Sequence, residues 1–132
     1  MHYEGGCLCG QVRYKAEGEP YNQTICHCTM CRKASGSASV AWVSFKNSEV
    51  SIGRKVRWFR SSGKAERGFC PTCGGCMFFR PLDVDEIDIS TATLDNPELP
   101  ELHPKDHLHL GTRISWHPVH EDKPQYKAHR GS

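Results

Sequence analysis

Polar and apolar residues alternate with period two along most of this chain, which predicts strands, and helical periodicity is confined to one short stretch. Gln11 to Ala16 alternates behind a Cys-Gly turn and reads as a half-buried strand. Ser39 to Phe45 is rich in β-branched and aromatic residues, as a well-buried strand requires. Glu49 to Ile52 and Lys55 to Arg60 flank Gly53-Arg54, which predicts a hairpin. Arg67 to Phe69 leads into a cysteine cluster and Met77 to Arg80 leads out of it. Glu86 to Ala92 alternates again, and Ile114 to Trp116 reads as a short late strand. One helical step is predicted over Thr29 to Ser35, stopped by Gly36. Three prolines make Asp95 to Pro104 a loop. The fold class is mostly β with little helix.

Length and composition narrow this further. The chain has 132 residues, which predicts a single domain over 1–122 and a C-terminal tail over 123–132 that frays at its end. A hydrophobic fraction of 37% is low for a fold that relies on apolar burial alone, so metal cross-links would add to its stability. No apolar run approaches a membrane-spanning length, and the first residues contain no export signal. The expectation is a soluble, cytoplasmic protein with no membrane partner. A net charge of +2 is too small and too mixed to argue for nucleic acid. The basic stretch Arg54 to Arg67 reads as a solvated face.

The eight cysteines carry the chemistry, because they fall in three tight clusters. A disulfide framework would spread them along a secreted chain; paired thiols in a reducing compartment converge on a soft cation instead. Cys9-Gly10 and Cys73-Gly74-Gly75 place glycine directly after a thiol, where a tight turn brings amides toward the sulfur. Cys7, Cys9, Cys70 and Cys73 then fit a closed four-thiolate site tying distant segments together. In the middle cluster, Cys26 and Cys28 face one side of an extended segment and Cys31 returns on the helical step, giving three thiolates from one loop. Its fourth position is either open, as in catalytic zinc sites, or filled by Cys76 or His27. His103, His107, His109, His117 and His120 form a His-rich late segment without ligand spacing.

Taken together, Gly5 to Tyr14, Cys26 to Gly36, Ala41 to Phe45, Phe59 to Ser62, Arg67 to Gly74, Asp85 to Ile89, His107-Leu108 and Arg113 to Trp116 resemble the glutathione-dependent formaldehyde-activating family, which includes the centromere protein V type domain. The resemblance implies a zinc-stabilised antiparallel β-tent. It implies two zinc ions per chain, one structural at Cys7, Cys9, Cys70 and Cys73 and one catalytic at Cys26, Cys28 and Cys31. It also implies a carbon–sulfur lyase activity joining glutathione, or a similar small thiol, to formaldehyde or another aldehyde. Cys76 stands where the family usually has a small hydroxyl residue, and His109 where members often have an aromatic one.

The chemistry of the middle cluster agrees with such an activity. A thiol that coordinates a metal loses its proton, and a thiolate is the competent nucleophile toward a carbonyl carbon. Arg32, Lys33, Arg57, Arg60 and Arg113 are the candidate cations for glutathione's carboxylates. The alternative is a non-catalytic double-zinc module that recruits a protein or nucleic acid, which a filled fourth position would favour.

Overall fold

A computed structural model describes residues 1–132. Two sheets pack face to face. The smaller contains β1 (His2–Gly6), β2 (Arg13–Glu17) and β3, here Val50–Ile52, in the antiparallel order β1-β2-β3. The larger has seven strands: β4 (Tyr21–Cys26), β5 (Val40–Phe45), β6 (Arg57–Arg60), β7 (Ala65–Phe69), β8 (Cys76–Pro81), β9 (Ile87–Ser90) and β10 (Asp106–Leu108). Their order is β10-β4-β5-β9-β8-β7-β6, antiparallel except for the β10–β4 pair.

Alternation along each strand sends one set of side chains between the sheets. Tyr3, Tyr14 and Ala16 from the small sheet meet Val43, Phe45, Met77, Phe78, Ile87 and Ile89 from the large one. The ring of Tyr14 stands edge-on to Phe78 at 5.0 Å, and Tyr3 tilts against Phe45 at 5.6 Å, both within the range of favourable aromatic pairing. The other set lies on the outer face of the large sheet. Across four strands the register places Arg67, Phe79, Asp88 and Ser44 in one row, with Ser90, Trp42 and Thr24 in the next.

The single helix, α1 (Thr29–Ser35), lies where the sequence predicts it. The Cys28 sulfur accepts from the Cys31 backbone N–H at its start, and Gly36, at φ 71°, closes it in the left-handed conformation. Two expectations are corrected. Gly53-Arg54 joins no hairpin, because β3 pairs with β2 while β6 forms the far edge of the large sheet. The Gly53 N–H donates to the Arg13 carbonyl at 2.9 Å, which turns the chain from one sheet to the other. Ile114 to Trp116 forms no strand and leaves Trp116 74% exposed. Residues 125–128 run beside β10 and the segment after it: His107 and Gln125 form a parallel bridge, and the amides of Tyr126, His109, Leu110 and Gly111 bond across the two segments at 2.8–3.0 Å.

Candidate metal centres and the cavity beside them

Two loops with the same geometry build the first centre. Gly10 and Gly74 each adopt φ 78°, and each donates its N–H back to the residue that opens its knuckle, Cys7 O at 3.1 Å and Cys70 O at 2.8 Å. The N–H of Val12 reaches the Cys7 sulfur at 3.3 Å, and that of Cys73 reaches the Cys70 sulfur at 3.5 Å, interactions that favour thiolate. The four sulfurs lie within 4.8 Å of one another. Zn–S bonds of about 2.3 Å in a tetrahedron would hold sulfurs about 3.8 Å apart. The observed separations are 3.7 Å for Cys7–Cys9 and 3.8 Å for Cys9–Cys70, so the donor set fits a metal. A disulfide needs about 2.05 Å, and all eight cysteines are unpaired.

The second centre lies on the outer face of the large sheet. Cys26 ends β4, Cys28 caps α1, and Cys31 sits one turn into the helix. Their sulfurs also converge within 4.8 Å, with Cys31 and Cys26 3.5 Å apart. Hydrogen bonds from Cys26 and Cys31 hold the Cys28 thiol well below its ordinary range, against the effect of burial, while the same contacts push Cys26 up. One thiol of the three therefore gives up its proton readily while Cys26 and Cys31 hold theirs, and a bound cation would have to displace those two protons.

Neither candidate for a fourth donor joins this group. The Cys76 thiol donates to Ala34 O at 2.9 Å. His27 points into the domain, fully buried, and shares a 2.9 Å hydrogen bond with His107 Nδ1. Burial, with the charges of His107, His117 and Arg113 behind it, lowers the His27 pKa to about 4, so the ring stays neutral. His107, His117 and His120 therefore assemble behind the cysteine loop, with His117 tilted against His27 at 5.9 Å and His120 against His107 at 5.5 Å. No spacing pattern announces the His27–His107 pair, which joins β10 to the cysteine loop.

A cavity of about 400 Å³ opens on the three sulfurs; its remaining wall mixes Trp42, Phe79 and Leu108 with polar and charged residues. Arg67, Asp88, Glu86, His109 and Arg130 line it. Arg67 extends over Phe79, its partner across β7 and β8, with the guanidinium 4.9 Å from the ring. Asp88 accepts from Ser44 Oγ at 2.5 Å, and burial raises its pKa to about 7 with help from Glu86, which Ser44 and Arg130 only partly oppose. Arg130 comes from the tail, paired with Asp106 at 2.6 and 3.1 Å and with Asn22 at 3.1 Å. Asn22 and His109 both have positive φ, 52° and 57°, an unusual conformation for non-glycine residues and one that marks this rim. None of Arg32, Lys33, Arg57, Arg60 and Arg113 lines the cavity; Arg67 and Arg130 supply its cations.

The family model for the glutathione-dependent formaldehyde-activating enzyme matches residues 2–112. The chain belongs to that family. A protein of Halomonas elongata named putative glutathione-dependent formaldehyde-activating enzyme is 28% identical over 128 residues, covering 88% of this chain and 80% of its own length. An uncharacterized lyase of Schizosaccharomyces pombe is 38% identical over 77 residues, or 58% of this chain. That match spans 56% of the yeast protein's length. Among solved structures, a Rhodobacter sphaeroides protein superposes with a TM-score of 0.59 at 17% identity, covering 93% of this chain and 98% of that one. This last likeness shows the fold alone, a mostly β architecture. The family match ends before the tail, so His129 and Arg130 lie beyond it.

Proposed function

We propose that this protein is a zinc-dependent carbon–sulfur lyase of the formaldehyde-activating type, joining glutathione or a similar small thiol to formaldehyde or another aldehyde. One observation carries the reading: three converging sulfurs face a cavity of about 400 Å³, and no fourth protein donor reaches them. A site that only braces a fold is closed by four ligands, as the Cys7, Cys9, Cys70 and Cys73 set would be. On this reading Cys26, Cys28 and Cys31 hold the reactive metal and the other four cysteines the structural one. When bound, zinc supplies Lewis acidity, which lowers a thiol's pKa or polarises a carbonyl.

The chain's own groups would do the rest. Arg67 sets a cation beside Cys31 and offsets the negative charge of three thiolates. Arg67 and Arg130, with Glu86, give this cavity both signs of charge, suited to a zwitterionic thiol. In the reaction, the thiol's S–H bond breaks and a C–S bond forms. The carbonyl π pair moves to oxygen and takes up the proton.

The test is the rate at which zinc-loaded protein interconverts glutathione, formaldehyde and their adduct, followed by exchange NMR against a protein-free control. Acceleration that Cys31→Ser abolishes supports the reading. A zinc-loaded protein that leaves the spontaneous rate unchanged rejects it.

A further inference from the structure

A second cavity, of about 230 Å³, meets the same cysteine loop from the other side. It shares Cys31, Trp42 and Arg67 with the polar cavity, so the two meet at the reactive sulfur cluster. Its remaining wall is mostly apolar: Val40, Phe59, Phe69, Phe78 and the Ala34 methyl supply most of it. Two of the polar groups there already have partners. Ser35 Oγ donates to Cys31 O at 2.7 Å and Cys76 Sγ to Ala34 O at 2.9 Å, so the wall offers them to no ligand. Phe59, 62% exposed on the edge strand β6, and Ala34, exposed on α1, stand where it opens to solvent. An apolar cavity of about 150 Å³ is enough to seat a benzene ring, so this one holds a phenyl group or a short alkyl chain.

We propose that this cavity seats the apolar substituent of the carbonyl substrate, so that the chain acts on aromatic or medium-chain aldehydes in preference to formaldehyde. The inference rests on the thiol–aldehyde reading above and names its carbonyl partner. Formaldehyde has no substituent and would leave the cavity unused. An aldehyde R–CHO placed with R in the cavity brings its carbonyl to the wall shared with the polar side. Arg67 is on that wall, and its guanidinium, the cation the two cavities share, sets a positive charge there to stabilise the oxygen as negative charge develops on it. The thiol enters from the polar cavity. A C–S bond forms at the carbonyl carbon, the π pair goes to oxygen, and the thiol's proton ends on that oxygen as the hydroxyl of a hemithioacetal.

Zinc-loaded protein is assayed by exchange NMR with glutathione and either formaldehyde or benzaldehyde, each rate taken relative to its protein-free control. Acceleration is expected to be greater for benzaldehyde. Ala34→Phe, at an exposed helical position, should lower the benzaldehyde-to-formaldehyde ratio by about tenfold or more, the discrimination a hydrophobic pocket of this kind supplies. Unreactive benzyl alcohol should show saturation-transfer contacts with the native protein and lose them in Ala34→Phe, while Lys33→Ala, exposed on the same helix and outside the cavity, keeps them. An Ala34→Phe variant with an unchanged ratio overturns the proposal, as does one that still binds benzyl alcohol. Acceleration with formaldehyde and none with benzaldehyde overturns it and leaves the thiol–aldehyde reading standing. No acceleration with either aldehyde overturns both.

Discussion

The terminal nitrogens of Arg67 lie 3.7 and 3.8 Å from the sulfur of Cys31, closer than any other cationic side chain comes to the second cluster. Unit charges at 4 Å interact by about 4 kcal/mol at the effective dielectric of a protein surface, enough to matter to a site of three thiolates. Arg67→Met keeps the packing over Phe79 and removes the charge. It is expected to weaken metal at this cluster by about 10–100-fold, the usual effect of losing a partner just outside the ligands. Competition with a chromophoric chelator measures this. Equal retention by native and variant protein would show that Arg67 does not support the metal.

The two centres should respond differently to ligand loss. Cys70 is completely buried in the main core, and its site joins the N-terminal loop to the β7–β8 connection. Structural zinc contributes about 10–16 kcal/mol, as much as or more than the whole stability of a small domain. Cys70→Ser should therefore abolish cooperative folding. Cys31→Ser should leave a folded chain with one metal in place of two. Elemental analysis and thermal melts decide; a native protein with a single metal would refute the two-site assignment.

Both clusters are readable in the sequence because each is local: thiols two or three residues apart, glycine after Cys9 and Cys73, and a helical step stopped by Gly36. The central strands are equally readable, since burial on one face forces alternation. What the sequence hides is set by partners far away. Glu49 to Ile52 and Lys55 to Arg60 carry ordinary strand patterns, yet nothing local says that Gly53 bonds to Arg13 and parts them into two sheets. Ile114 to Trp116 has strand propensity and no strand beside it to pair with. Arg67 sits in a basic run whose members Arg57 and Arg60 face solvent, and only the pairing with Phe79 turns it toward Cys31. Arg130 lies in a stretch of tail composition and becomes a wall residue through Asp106, from a strand too short to recognise.

That tail contact makes a prediction of its own. Burial alone would raise the Asp106 pKa, but the Arg130 and Thr24 hydrogen bonds outweigh it and hold it below the ordinary range of an aspartate. A carboxylate depressed in the folded state stabilises fully above its unfolded pKa and loses that contribution as pH falls through the folded value. Arg130→Met should cost about 1–3 kcal/mol at neutral pH, because it leaves Asp106 without its ionic partner. The difference between the two proteins should shrink below about pH 4, where Asp106 takes up a proton. Melts at pH 7 and pH 3 test it; an equal difference at both would assign the effect to packing of the arginine stem.

Asp88 should give the opposite slope. It sits on β9 between Ser44 of β5 and Phe79 of β8, facing Glu86 from its own strand end, with Tyr21 and Arg130 the other ionisable groups nearby. Burial raises its pKa from 3.8 to about 7, Ser44 lowers it, Glu86 raises it, and Arg130 adds a smaller downward pull. The folded protein therefore keeps a proton that the unfolded chain releases from about pH 4 upward. Between pH 4 and pH 7 this group makes stability fall as pH rises, and above about 7 the full cost of holding the ionised carboxylate remains. Asp88→Asn keeps the shape and a hydrogen bond to Ser44 and has no proton to lose. The variant should melt higher than the native protein at pH 7.5, match it at pH 4, and show a flatter melting profile in between. A native protein whose profile is as flat as that of Asp88→Asn would mean that Asp88 is already ionised at pH 5, with Arg130 setting its charge state more strongly than burial does.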